Sequence, residues 1–419
     1  MDIARLITFA AVIAVHSIAF TERPSNSVAA GAMMLLQFGR EVFFTITGFV
    51  LVYSMKDRLL NLRRFWPRRI CYVAVPYVAW SAIYYGYSVL GPAHASFSLA
   101  TFGRDLLYGG AMYHLYFLLV TLQLYVVFPP LMAFVRRSAA RAGRVVVVVG
   151  LVNSAWLAVL QWVPAPAGPA GWLWQHAYEL LPTYTVYVLA GCYAAVHLDA
   201  IQRFVEAHRR KLLAGAGACA AGALVAYGAQ LPTAAPRVAA AVLQPATVLS
   251  CAAALVVLYL VGCRWAAGAV APQRGPAGPA AIERRRRGQA VVATLSDASF
   301  GVYLAHPLVL QLLVDHGFGN SGQSLPAAAA TVVCLVAAIA GGTVLSLAAR
   351  HTPLSLALTG RPWRAQTTSA GAGHAGATRA GAARAGDTPD RGPVLAPVRA
   401  LVAAGVGTVA VSQEAPSSA

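Results

Sequence analysis

Two residues of the first apolar stretch carry groups that do chemistry. Arg5 and His16 stand eleven positions apart in a run whose other polar side chains, Thr8 and Ser17, are small hydroxyls. At about 100° per residue, eleven helical steps return to within roughly 20° of the starting direction and rise about 16 Å. A guanidinium and an imidazole would then share one helix face. An imidazole can take a proton from a hydroxyl or carry an acyl group near neutral pH, and a guanidinium holds phosphate through paired hydrogen bonds. The plainer alternative is a snorkelling arginine with a hydrogen-bonded core histidine.

A second run opens Gly39-Arg40-Glu41-Val42-Phe43-Phe44 and continues to Thr47-Gly48-Phe49. If the first run points outward, Glu41 enters at a depth that the outer half of that run can reach. A His16–Glu41 pair would orient the imidazole and raise its basicity; otherwise Glu41 pairs with its neighbour Arg40. A third segment, Phe65-Trp66-Pro67-Arg68-Arg69, leads to Pro76-Tyr77. Arg5, Arg68 and Arg69 fall on one rim, where charge-assisted hydrogen bonds could hold a polyanion arriving from the cytosol. Two further segments are polar for their place: one opens at His114, and the other contains Asp297, Tyr303, His306 and Pro307. A His or Tyr at a span end is commonly an interfacial anchor, and His114, Tyr303 and His306 are equally candidates for the wall of a pocket.

The elements that position these groups follow from composition. The 419 residues are 58% apolar and 11% charged, against about 45–50% and about 25% in soluble domains. Those figures weigh strongly against a water-soluble fold. The expected fold class is all-α, a polytopic membrane helix bundle with about ten transmembrane helices, at 3–21, 41–56, 71–90, 114–134, 145–163, 179–197, 212–230, 238–261, 291–313 and 327–348. The first run resembles a signal peptide in length but has no convincing small-residue cleavage site, so it reads as the first span. A Gly/Pro/Ala linker from Ala266 to Gly288 ends in Arg284 to Arg287. Residues 1–350 form the membrane domain, and 351–419 read as a low-complexity, disordered cytoplasmic tail. Within that tail, 400–411 is apolar but short for a span.

Lys and Arg number 32 against 14 Asp and Glu, a formal charge of +18 that by itself suggests a nucleic-acid partner. Sorted between spans, 27 of the 32 fall on one side and only Arg23, Arg40, Arg104 and Arg237 on the other. Cytoplasmic loops carry such an excess, so the alternation places both termini in the cytoplasm of a multi-pass protein of the cell membrane. It also accounts for the charge through topology and anionic lipid, leaving no call for nucleic acid. The six cysteines lie in or beside apolar runs with no metal-ligand or disulfide spacing, and no metal is expected.

Taken together, the segments resemble acyltransferase family 3, integral membrane acyltransferases that modify sugars and other hydroxyl-bearing acceptors. The resemblance rests on Arg5 and His16 with ten residues between; on Gly39, Glu41, Phe43, Phe44, Gly48 and Phe49; on Phe65, Arg68, Arg69, Pro76 and Tyr77; on His114 to Leu118; and on Ser299 to Pro307. These occur in the family's order over residues 1–348. Thr47 stands where the family usually has Ser, and Tyr72 where it often has a second arginine.

The resemblance implies a membrane O-acyltransferase with no permanently bound cofactor. Acyl-CoA, chiefly acetyl-CoA, would be its donor substrate, docked at Arg5, Arg68 and Arg69. A sugar or glycan hydroxyl would be the acceptor, and the lipid bilayer the surrounding partner. His16 would act as general base or acyl carrier, with Glu41 orienting it. The alternative is a polysaccharide or glycolipid transporter, whose path the same polar residues would line; such proteins commonly show internal repeats, and none is evident between the two halves.

Overall fold

A computed structural model describes residues 2–55, 61–270, 279–319 and 325–363. The described residues form helices and turns, with no strand among them. In chain order the α-helices are α1 (Asp2–Thr21), α2 (Ser27–Leu36), α3 (Gly39–Ser54), α4 (Leu62–Leu90), α5 (Leu99–Tyr108), α6 (Tyr116–Ser138), α7 (Ala142–Trp162) and α8 (Pro169–Gln175). They continue with α9 (Thr185–Val196), α10 (Leu198–Gln230), α11 (Pro236–Ala239), α12 (Pro245–Val270), α13 (Pro279–Leu313), α14 (Ala327–Ala349) and α15 (Ser355–Thr359).

Each expected span coincides with a helix, but their lengths and compositions do not all suit a crossing. Seven segments are long and apolar enough: those of α1, α2–α3, α6–α7, α10, α12, α13 and α14. The α6–α7 segment is one stretch of 47 residues. The other two expected spans differ for separate reasons. α4 is long enough, but beyond Arg69 its apolar residues are interrupted by Pro76, by Trp80 and by Tyr72, Tyr77, Tyr84, Tyr85 and Tyr87, which lower its mean hydropathy. α9 has 12 residues, about 18 Å of helix against a hydrocarbon core of about 30 Å.

Two stretches read as loop or linker are helical. Residues 203–211 belong to α10, which kinks at His208, and Arg284 to Arg287 lie inside α13. Arg and Lys are good helix formers, so a basic run marks a side of the membrane without marking a loop. Lys56, Arg58, Arg274 and residues 364–419, including 400–411, lie outside the described residues. The part of the expected tail that is described holds α15, which packs on α4, α13 and α14. Arg350 and Arg361 both pair with Asp297 of α13, tying this segment down.

Local chemistry explains several of the boundaries. The Asn26 side chain accepts from the Val28 and Ala29 amides at 3.1 Å each and starts α2. Ser98 does the same for α5 through the Thr101 amide, at 3.2 Å. Gly109 ends α5 with φ +72° and packs against the Tyr116 backbone, where a Cβ would collide.

Apolar packing divides between two main clusters. One joins α3, α4, α6 and α9 through side chains such as Phe44, Phe65, Leu124, Phe128 and Leu189. The other joins α1, α13 and α14 through Phe9, Ile13, Val302, Leu310 and Cys334. Polar bonds fix the register of the second. The Ser296 hydroxyl of α13 donates to Asp2 at the start of α1 (2.9 Å), and Thr21 at the end of α1 bonds Thr331 near the start of α14 (2.5 Å). α13 therefore runs parallel to α1, and α14 antiparallel to it.

Candidate active site

The seam between the two clusters gathers histidines and tyrosines from four places in the chain. His16 comes from α1; Tyr113 and His114 from the turn before α6; Tyr84 from α4; and Tyr303 and His306 from α13. The His16 ring lies 4.3 Å from that of Tyr113 and 5.6 Å from that of His306, centroid to centroid. His114 stands 5.1 Å from Tyr303, 5.4 Å from His306 and 5.5 Å from Tyr84.

The α13 part of this arrangement originates in a missing hydrogen. Pro307 has no N–H, so the carbonyl one turn back, that of Tyr303, loses its helical donor. His306 Nδ1 takes that carbonyl at 2.7 Å. The bond places the proton of the neutral ring on Nδ1 and leaves Nε2 bare, and Nε2 is buried with no hydrogen-bond partner among the described residues. The Tyr303 hydroxyl donates to the His114 carbonyl (2.7 Å) and the Tyr84 hydroxyl to the Leu304 carbonyl (2.6 Å), locking α4, α13 and the turn before α6 together. α6 uses the same device: Pro129 frees the Tyr125 carbonyl, and the Trp66 indole N–H donates to it at 3.0 Å.

His16 itself makes no hydrogen bond among the described residues and lines a cavity of about 100 Å³. At about 30 Å³ each, roughly three waters would fill that space. Tyr113, Tyr116, Phe43, Phe117 and Tyr303 give it an aromatic wall, and Gln37 and Arg40 supply polar edges.

Glu41 does not reach His16 in this arrangement. Its Oε1 accepts from Arg40 Nε at 2.9 Å and from Nη2. Its Oε2, buried and without a partner among the described residues, belongs to a narrow cleft with Thr183, Tyr187 and Thr247. Arg40 completes its own shell with the Tyr116 hydroxyl (2.7 Å) and the faces of Tyr184 and Tyr178, 4.9 and 5.9 Å away. The structure therefore forms the neighbour pair Arg40–Glu41 rather than His16–Glu41. The physical reason is direction: Glu41 points from α3 towards α9 and the segment before α12, while His16 faces α6 and α13.

The three arginines expected to hold the donor sit apart from the cavity. Arg5 lies one turn from Asp2, at the far end of α1 from His16, and is half-buried without a partner among the described residues. At the start of α4, Arg68 is exposed, and Arg69 lies against the Tyr125 hydroxyl. Tyr72 projects outward, and its backbone carbonyl abuts Gly360 beyond α15.

The acyltransferase domain model of acyltransferase family 3 matches residues 1–347. The chain belongs to this family. Comparison with curated proteins and with solved structures gave no significant match. As a membrane acyltransferase, the chain must bring an acyl donor and a nucleophilic acceptor to one reacting carbon, and the cavity beside His16 is where an unengaged imidazole meets open space. Sequence reasoning named His16, His114, Tyr303 and His306, and the acyltransferase brings all four into one ring cluster. It missed Tyr113 and Tyr84. The only signal for Tyr113 was its place beside His114, where a tyrosine reads as an interfacial anchor.

Proposed function

We propose that this acyltransferase moves a short acyl group, acetyl above all, from cytosolic acyl-CoA to a hydroxyl of a sugar, glycan or glycosylated metabolite. It does so in the cell membrane, with both termini cytoplasmic. The reading rests on one observation above the others: His16 presents its imidazole, without a hydrogen bond among the described residues, to a small cavity deep along α1. The rise of about 16 Å from Arg5 to His16 suits a donor whose phosphates stay at the cytoplasmic rim while its thioester reaches inward. Arg5, Arg68 and Arg69 hold those phosphates. The cavity has room for an acetyl group and one edge of an acceptor, which favours short acyl chains.

The acceptor hydroxyl gives its proton to His16 as its oxygen attacks the thioester carbon, or His16 first takes the acyl group and then passes it on. In the first route the carbon–sulfur bond breaks as His16 passes the acceptor's proton to the thiolate; in the second the thiolate leaves with the ring proton of the acylated His16, and the acceptor's proton goes to His16 as the ester forms. Glu41 contributes by holding Arg40 at the cavity wall.

The test is transfer of label from acetyl-CoA to lipid or glycan acceptors in membranes containing wild type or His16→Ala. Loss of transfer to background with equal expression is the expected result. Equal transfer by the two proteins would overturn the reading.

A further inference from the structure

Beyond residue 347, where the family match ends, Arg350 and Arg361 share the Asp297 carboxylate of α13. These three groups therefore keep one positive charge in excess. Arg350 is mostly covered and also donates to the Asp297 backbone carbonyl at 2.8 Å, whereas the Arg361 side chain is 46% exposed. Little of the fold depends on the Arg361 guanidinium. The segment is fastened by Arg350, by the Trp80 indole N–H on the Leu358 carbonyl (3.1 Å) and by the Ser355 hydroxyl on the Arg361 carbonyl (2.9 Å). An exposed ion pair adds little to such anchoring.

Packing sets the depth of Arg361. The bond from Ser296 to Asp2 places the start of α1 level with residue 296 of the parallel α13. Arg5, one turn further along α1, is then level with the turn of α13 from Asp297 to Phe300. Gly360, whose φ of +66° ends α15, sits against that turn: a Cβ there would collide with the Phe300 ring and lie 3.1 Å from the Tyr72 carbonyl oxygen. Tyr72 follows Arg68 and Arg69 by about one turn of α4. Arg361, the next residue after Gly360, is thus at the depth of Arg5 and about one turn from that of Arg68 and Arg69.

We infer that Arg361 is a donor-binding residue, whose guanidinium joins Arg5, Arg68 and Arg69 in holding the phosphates of acyl-CoA. The inference rests on the proposed acyl-transfer reading. CoA carries a diphosphate and a further phosphate, more negative charge than one guanidinium neutralises, and a planar guanidinium binds phosphate oxygens through charge-assisted hydrogen bonds. Asp297 is a positioning residue here. It fixes the Arg361 side chain before the donor arrives, which spares part of the ordering cost of binding. Because Asp297 offsets only one of its two arginines, the cluster still attracts a polyanion. No bond is made or broken at Arg361, so its contribution is to capture of the donor and not to the rate once the donor is bound.

Arg361→Gln removes the charge and leaves Asp297 paired with Arg350. In membranes supplied with labelled acetyl-CoA, the donor KM is expected to rise about tenfold or more, the usual effect of losing one hydrogen bond to a charged group, with kcat at saturating donor within about twofold. CoA itself, which has the phosphates and no acyl group, should weaken as a competitive inhibitor by the same factor. Arg361→Lys, which keeps the charge, should stay within about threefold of wild type in both. A merely structural arginine would lower kcat or the thermal midpoint and leave the donor KM and CoA inhibition alone. If Arg361→Gln keeps both constants within about twofold while His16→Ala is inactive, the Arg361 role is overturned and the acyl-transfer reading stands. If His16→Ala is as active as wild type, the reading falls and the Arg361 role falls with it.

Discussion

Arg40 and Glu41 show how a residue expected to act on its neighbour across the bundle can be taken by its neighbour in the chain. Both lie where water is scarce, Glu41 only 2% exposed, and a buried charge left alone is far costlier than a pair. Glu41→Ala is therefore expected to destabilise the protein by about 3–5 kcal/mol, the usual result of orphaning one member of a buried pair. The double variant Arg40→Leu/Glu41→Leu should recover much of that loss. Thermal unfolding in detergent measures both; additive losses would show that the two side chains do not depend on each other. At this scale the sequence was informative about which residues matter and poor about their partners. Ionisable groups are so rare in apolar spans that His16, Glu41 and His306 stand out by type alone. Helical spacing gives the depth of each group but not the direction from which other helices approach. His16 finds its ring neighbours 97 and 290 positions away, at Tyr113 and His306.

α3 and α9 cross with their backbones close together. Gly48 lies against the Val188 carbonyl and Gly191 against that of Thr45, so that neither position has space for a methyl group. Close backbone approach of this kind drives association where lipid removes the hydrophobic incentive. Gly191→Leu should force the two helices apart, with overpacking costs of at least about 1–3 kcal/mol. Size-exclusion chromatography in detergent should show loss of the monodisperse peak; a variant that elutes and melts like wild type would contradict the crossing. Hydropathy alone located ten of the helices, because an apolar run has few other fates in a bilayer, but not the shorter α2, α5, α8, α11 and α15. It missed the extent of α10 and α13, whose basic ends were counted as loop, and it could not distinguish the 12-residue α9 from a full span.

For the molecule as a whole, the Asp2–Ser296 and Thr21–Thr331 bonds pin both ends of α1 to the α13–α14 pair. Arg237 of α11 adds a further tie at the C-terminal end of α1 by donating to the Ala19 and Glu22 carbonyls at 3.0 and 3.1 Å. An alternating-access transporter works by rocking one helix group against another, whereas acyl transfer at a fixed site needs no such motion. A Thr21→Cys/Thr331→Cys disulfide, made in a background lacking the exposed Cys71 and Cys263, should leave acyl transfer within about twofold of the reduced protein. A rate that vanishes on oxidation and returns on reduction would show that α1 must move. A rod clamped at both ends also serves as a gauge. The interval of about 16 Å between Arg5 and His16 is set by eleven residues of helix, and no loop adjustment can lengthen or shorten it. Under the proposed function, a carrier is therefore selected by its reach. A carrier whose phosphates sit nearer its thioester than this interval can touch one mark or the other, but never both at once.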